Sequence, residues 1–311
     1  MKQENNLIKV VIKFISINKG TNFTNIVVEN IAHEQFSVST DSDTISLLKV
    51  GKLYEIEYSN ETKESLSQVS KVKEYKELHK FTPLEDLKGI DLAYYYDIFF
   101  KFAPKKILEI RQEIETYLSR IQNKILSDIT KVIYNKYYDR FYTHPAATVF
   151  HHAYYGGLSY HTYSMLKLAD AMIDEYPYLN RDLMYAGIIL HDILKVEEIT
   201  GVDGSYTLQG TLIGHLISGA MEIKVTSKAL GYDDSEEALM LEHIVISHHG
   251  QFTFGSHKKP QIAEGLMIWY IDTIDAKFRV IGEELSKTRI GEFTQQINVA
   301  DKIAFYRHKI K

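Results

Sequence analysis

The 311-residue chain contains no cysteine. Disulfide frameworks, thiolate zinc sites, iron–sulfur clusters and cysteine nucleophiles are therefore excluded. Long hydrophobic runs are missing too. None reaches the ~18 residues a membrane span needs, and the N-terminal MKQENNLIKV lacks the apolar centre of a signal peptide. Nor is positive charge in excess. The balance of 36 Lys and Arg against 41 Asp and Glu leaves a net charge of −5. Such a chain has no global field for a polyanion, so a nucleic acid would have to be held by local features such as bound cations. Together these absences predict a soluble, cytoplasmic protein with no membrane partner. They leave open whether it forms a homo-oligomer.

The residues present are those of an ordinary globular protein, 45% hydrophobic and 25% charged. The length suits roughly two domains of about 150 residues each. One distribution departs from the ordinary: of thirteen histidines, ten lie between His144 and His257. A histidine cluster without cysteine points to metal ions held by imidazole and carboxylate.

Residues 1–80 read as β structure. IKVVIKFISI, NFTNIVVEN, EQFSVST and GKLYEIEYS are short runs rich in Val, Ile, Phe and Tyr, separated by turn-forming residues, and a last strand is expected within Glu64–Lys76. Four or five short strands in this length suit a small barrel of the OB type. Its eleven Lys balance eleven Asp and Glu, and it has no Arg. An oligonucleotide-binding barrel usually shows basic residues and stacking aromatics. Phe14, Phe23, Phe36, Tyr54 and Tyr58 are the candidates, and filling the barrel interior is the favoured use of most of them.

Residues 81–145 read as a linker and helical region, opened by Pro83 and Gly89. Ile107, Ile110, Ile114, Leu118 and Ile121 then recur at spacings of three and four, the period of an amphipathic helix. Five further helices are expected near 161–176, 181–198, 211–229, 235–249 and 261–285, with Asn180 capping the second and Asp234 the fourth. The run AGIIL before His191 is apolar all round, which places that helix in the interior. Residues 286–311, ending in the basic DKIAFYRHKIK, read as a solvated tail.

Four places bear on chemistry: His161 in GGLSYHT, the adjacent His191 and Asp192 after AGIIL, the adjacent His248 and His249 in HIVISHHG, and Asp272 with Asp275 in WYIDTIDAK. A divalent ion takes about four to six nitrogen and oxygen ligands. Neighbouring His and Asp on a helix project about 100° apart, close enough to face one cavity. Each piece alone is weak evidence, but the ordered set is a strong joint signal. His243 reads as a core or surface residue and His257 as an exposed loop residue. Asp275 reads as a hydrogen-bond acceptor behind the ligands. Gly156 and Gly157 allow a close approach or a simple turn. Tyr154, Tyr155, Tyr160 and Tyr163 flank the ligand helix, where one or two could stack bases at ~1–3 kcal/mol each while the rest pack.

The words FYTHPAA, FHHAYYGGLSYHTYSMLKLA, YPYLNRDLMYAGIILHDILKVEE, YTLQGTLIGHL, HIVISHHG and YIDTIDAKF, within residues 141–279, resemble the HD-domain metal-dependent phosphohydrolases. The closest branch is the YhaM-type 3′→5′ exoribonucleases, which join an OB-fold to an HD domain. The resemblance implies a two-domain architecture, a small N-terminal OB-like β-barrel followed by an all-α HD domain over residues 146–285. It implies hydrolysis of single-stranded RNA, or short single-stranded DNA, to nucleoside 5′-monophosphates. Manganese is the usual activator, while iron, cobalt, nickel, zinc and magnesium remain compatible. It also implies His161, His191, Asp192 and Asp272 as metal ligands, with His215, His248 and His249 serving a second ion and Asp192 bridging the two. In that branch the HD dipeptide continues as HDxGK; here it is HDILK, with Leu194 in place of glycine, which puts the turn carrying Lys195 in question. Asp192 and Lys195 are then the catalytic candidates. Lys195, His152 and Tyr155 are the candidates for substrate contact, with His152 equally suited to supporting the ligands. Two other readings stand beside this one: an HD hydrolase of a small nucleotide, and a non-catalytic nucleic-acid-binding protein with a residual metal site.

Overall fold

The computed structural model describes residues 7–19, 24–64, 72–148, 152–202, 204–250 and 258–310. Phe23, His151 and His257 lie outside the described residues. The chain divides into two compact units, residues 1–101 and 102–311.

The first unit is a closed five-stranded barrel. Its strands are β1 (Ile8–Lys19), β2 (Thr24–Asn30), β3 (Gln35–Ser39), β4 (Leu53–Glu64) and β5 (Val72–Pro83), in the order β1-β2-β3-β5-β4. Every pairing is antiparallel except β3 with β5, the parallel step that closes an OB-type barrel. The last strand runs on to Pro83, beyond the expected end at Lys76. A short helix α1 (Ser42–Leu47), capped by the Asp41 side chain on the Thr44 N–H, links β3 to β4. Alternation places Ile12, Phe14, Ile26, Val28, Val38, Tyr54, Ile56 and Tyr58 inside. Phe14, Tyr54 and Tyr58 are thus interior residues, and Phe36 packs against them half-buried. Helix α2 (Leu92–Phe99) ends this unit.

The second unit is helical: α3 (Ile107–Arg120), α4 (Lys124–Thr143), α5 (Gly157–Glu175), α6 (Arg181–Leu190), α7 (Lys195–Glu198), α8 (Leu208–Leu212), α9 (Gly214–Ala229), α10 (Glu236–Ser247) and α11 (Ala263–Lys287). In α3 the expected stripe is the buried one, through Ile110, Ile114 and Leu118. Helix α6, buried from Leu183 to Leu190, packs against α4, α5, α10 and α11. It is the centre around which the others assemble.

Three helix boundaries differ from the sequence expectation, one of them in the expected helix 211–229, which is broken at Ile213 between α8 and α9. Ser235, not Asp234, caps α10, its hydroxyl accepting from the Ala238 N–H. The segment 181–198 is not one helix: the chain turns through residues 191–194 before α7 begins. The C-terminal stretch is also more than a solvated tail. Ile297 and Ala300 are buried, Phe293 bridges to Tyr306, and Arg307 donates to the carbonyls of Ser286 and Thr288 at 3.2 and 2.6 Å.

Candidate metal centre

Five helices of the second unit deliver side chains to one buried place. The apolar run of α6 ends at His191, whose Nδ1 donates to the Ile188 carbonyl at 2.7 Å. The end of α10 repeats the device, His248 Nδ1 donating to the Val245 carbonyl at 2.8 Å. Helix α9 brings His215, whose Nδ1 is bound to Glu198 Oε2 at 2.8 Å. Helix α5 brings His161, whose Nδ1 is bound to Asp275 Oδ2 of α11 at 2.8 Å. Each Nδ1 faces an acceptor and carries the proton, so in the neutral ring each Nε2 turns a lone pair inward.

Those Nε2 atoms converge on Asp192. Its Oδ2 lies 3.3 Å from His191 Nε2 and 3.9 Å from His161 Nε2. Its Oδ1 lies 3.3 Å from His215 Nε2 and 3.5 Å from His248 Nε2. Asp272 Oδ1 approaches His161 Nε2 at 3.3 Å. Two groups result, each with ligand atoms within 4.8 Å of one another: His161, His191 and Asp192, and Asp192, His215, His248 and His249. Asp192 belongs to both, one oxygen to each side.

Lone pair facing lone pair is a repulsive arrangement. His191 Nε2, Asp192 Oδ1, His215 Nε2 and His248 Nε2 are buried with no hydrogen-bond partner, a state proteins rarely tolerate. A divalent cation resolves it, since imidazole nitrogen and carboxylate oxygen are its ligands. The residues present fit a divalent metal site. A third group, His152, His161 and Asp275, differs in kind: its members are already joined by hydrogen bonds of 2.7 and 2.8 Å.

The electrostatics are those of a site built for positive charge. Burial opposes charge on Asp192, yet Lys195 and His191 outweigh it and hold the carboxyl well below the usual carboxylate range. Burial likewise opposes charge on Asp272, and His161 reverses the effect. Burial and then neighbouring His249 push His248 down to about 3, so its nitrogen stays unprotonated and able to ligate. For His161, burial is outweighed by Asp272 and Asp275, which draw the imidazole up to about 10. Ligation there displaces a proton.

Asp275 stands behind the ligands as the sequence suggested. Its carboxylate accepts from His152, His161, Ser164 and Arg279, the last two at 2.6 and 3.3 Å. His152 requires a correction. It is buried, with Nε2 on Asp275 and Nδ1 on the Tyr154 hydroxyl, each at 2.7 Å. Both nitrogens are engaged inside the protein, so it supports Asp275 and does not face a substrate. Its left-handed backbone (φ 57) sets its carbonyl against Gly157, where a Cβ would collide. That close approach requires glycine. Tyr155 stacks on Phe102 at 5.5 Å and 26°. His243 accepts the Gln261 N–H at 2.9 Å and is structural.

Lys195 does reach the centre, its Nζ 2.6 Å from Asp192 Oδ2. The turn carrying Lys195 needs no glycine: Leu194 is right-handed (φ −76, ψ −1), a conformation any L residue adopts, and its side chain is buried. The sequence reading missed Glu198, Ser164 and Arg279. The latter two were discoverable, since Ser164 is three residues after His161 and Arg279 four after Asp275, each one helical turn away. Glu198, in KVEE, carried no comparable signal.

Residues 158–304 match the model of the HD domain family. Three relatives bear the name 3′-5′ exoribonuclease YhaM. The protein of Geobacillus sp. is 43% identical over 210 residues, 67% of this chain and 64% of its own length. That of Listeria welshimeri is 36% identical over 268 residues, 82% of this chain and 83% of its own length. That of Bacillus subtilis is 37% identical over 231 residues, 74% of this chain and 72% of its own length.

Proposed function

This chain belongs to the family of the HD-domain YhaM exoribonucleases, and from that premise we propose that it is a metal-dependent 3′-5′ exoribonuclease. It acts on single-stranded RNA, and on short single-stranded DNA, releasing nucleoside 5′-monophosphates. One observation carries the reading: Asp192 turns one carboxylate oxygen to His191 Nε2 and the other to His215 Nε2 and His248 Nε2, three inward-facing nitrogens buried without a hydrogen-bond partner.

His161, His191, Asp192 and Asp272 would hold one ion, and Asp192, His215, His248 and His249 a second, with manganese the proposed metal. Such ions supply Lewis acidity and activated water at neutral pH. The remaining work falls to the chain. The carbonyls of Ile188 and Val245 and the carboxylates of Asp275 and Glu198 keep the four imidazoles oriented, a role whose loss typically costs 10–100-fold in affinity. Lys195, charged beside Asp192, is placed to hold a phosphate oxygen as a point charge. Hydrolysis breaks the P–O3′ bond. The water oxygen stays on the released 5′-phosphate, and the shortened strand keeps a 3′-hydroxyl. The barrel of residues 1–80 is proposed to bind the strand, with no Arg and no net charge to hold it tightly.

The test is digestion of a 3′-labelled single strand with manganese, with elemental analysis of the purified protein. Label appearing first as mononucleotide is the expected result. Release of long fragments, or turnover of free nucleotides with none of strands, would overturn it.

A further inference from the structure

A second cavity lies along the same two helices. Beyond His161 and Asp275, α5, α11 and the bend before α3 line an open pocket of about 340 Å3, through Lys167, Tyr160, Tyr163 and Ser164 of α5, Arg279 of α11 and Lys105 of the bend. That volume falls within the range of small-molecule sites, roughly 300–1,000 Å3. Three of the lining groups are cations, and among the described residues no carboxylate lines the cavity. Nothing in the metal chemistry uses it.

The tyrosines hold the cations in place. Lys105 lies over the Tyr163 ring at 4.9 Å, Lys167 over the same ring at 5.6 Å, and the Arg279 guanidinium over Tyr160 at 4.8 Å. Each ring thus carries at least one cation, which competes with a stacked base for that face. Lys105 meets Glu109 and Glu113 only at 3.6 and 4.0 Å, contacts a bound phosphate would outcompete. Lys167 is exposed, and no carboxylate pairs with it among the described residues.

The cavity is also joined to the metal centre. Arg279 donates from Nη2 to Ser164 Oγ at 3.1 Å and from Nε to Asp275 Oδ1 at 3.3 Å, and Asp275 holds His161. From Asp272 to Arg279 is seven residues, roughly 10 Å along a helix. From His161 to Lys167 is six, roughly 9 Å. On both helices the cation thus follows the proposed metal ligand by about two turns.

We propose that this pocket binds the phosphate of a nucleotide without reading its base, as a subsite apart from the metal centre. The phosphate can come from the strand being degraded or from a free mononucleotide. The inference rests on the nucleotide chemistry proposed above.

The test compares the manganese-loaded full-length protein with its Lys105→Gln/Lys167→Gln variant. Hydrolysis of bis(p-nitrophenyl) phosphate, too small to reach the pocket, should be unchanged within twofold, which also reports that the variant is folded. If the strand supplies the phosphate, KM for an eight-nucleotide RNA rises about tenfold or more, the loss of two cationic contacts, with kcat unchanged and A-rich and U-rich strands affected alike. If a free nucleotide supplies it, titration with AMP shows wild type taking up one equivalent that the variant does not. Unchanged KM together with unchanged AMP uptake overturns the proposal. Failure of wild type to cleave either substrate would overturn the nuclease reading, while the AMP titration would still decide the pocket.

Discussion

The barrel and the helical unit treat buried polar groups in opposite ways. In the barrel, Lys13 is buried yet donates to the Phe99 carbonyl at 3.1 Å, and Ser59 bonds Glu61 and His79. Among the described residues, no buried side-chain polar atom of the first unit lacks a partner. The helical unit leaves six such atoms, and four of them face one another around Asp192. Ordinary folding removes unpartnered polar atoms because each costs about 1–3 kcal/mol. Four at one point are therefore a place reserved for something else. The contrast separates a unit finished by its own hydrogen bonds from one finished by an added cation.

The largest test of that contrast is Asp192→Ala. It removes the carboxylate shared by both clusters and should lower turnover by about 1,000-fold or more. Metal analysis should show ions lost together with activity. Retained metal would break the contrast. Next, Phe14→Ala opens a hole in the barrel interior and should cost that unit about 3–5 kcal/mol in urea unfolding. Hydrolysis of bis(p-nitrophenyl) phosphate should persist, because the metal centre draws only on the other unit. Asp275→Asn touches no proposed ion, yet it weakens the acceptor for His161 and His152. Manganese affinity measured by titration calorimetry should fall about 10–100-fold.

The smallest effect concerns pH. Burial lowers the pKa of His144 from its ordinary 6.5, and the ring bonds the Ile199 carbonyl. The unfolded chain binds that proton more readily, so this group's contribution is complete above 6.5 and drains away as pH falls from there toward the folded value. Between pH 7.5 and 5.5 the wild type should lose more stability than His144→Gln. Equal losses in the two proteins would show that His144 is not the group responsible.

What the sequence disclosed follows from which constraints are local. The residues that converge on Asp192 were legible because a cation admits few donors, and the buried run AGIIL pointed to a central helix ending at His191. The barrel was legible because period-two alternation is local too. The break after Leu190 was not, since Ile193 and Leu194 continue a helical apolar pattern and the turn there keeps right-handed dihedrals at Leu194. The Asp234–Ser235 choice was hidden because both residues cap well, and only the chain's path decides between them. His152 was misread for a related reason: its partner Asp275 is 123 residues away. Which imidazole faces a cavity and which faces a buried carboxylate is settled by tertiary packing.

The position of Asp192 restricts how this molecule can be altered. Its two oxygens serve opposite sides, so it has no conservative replacement: any exchange there damages both halves at once. In the proposed two-ion reading, a protein adapted to work with a single ion would be reached through His215 or His248, each of which belongs to one side alone. Engineering and natural drift alike would then meet the aspartate as the last of the set to change.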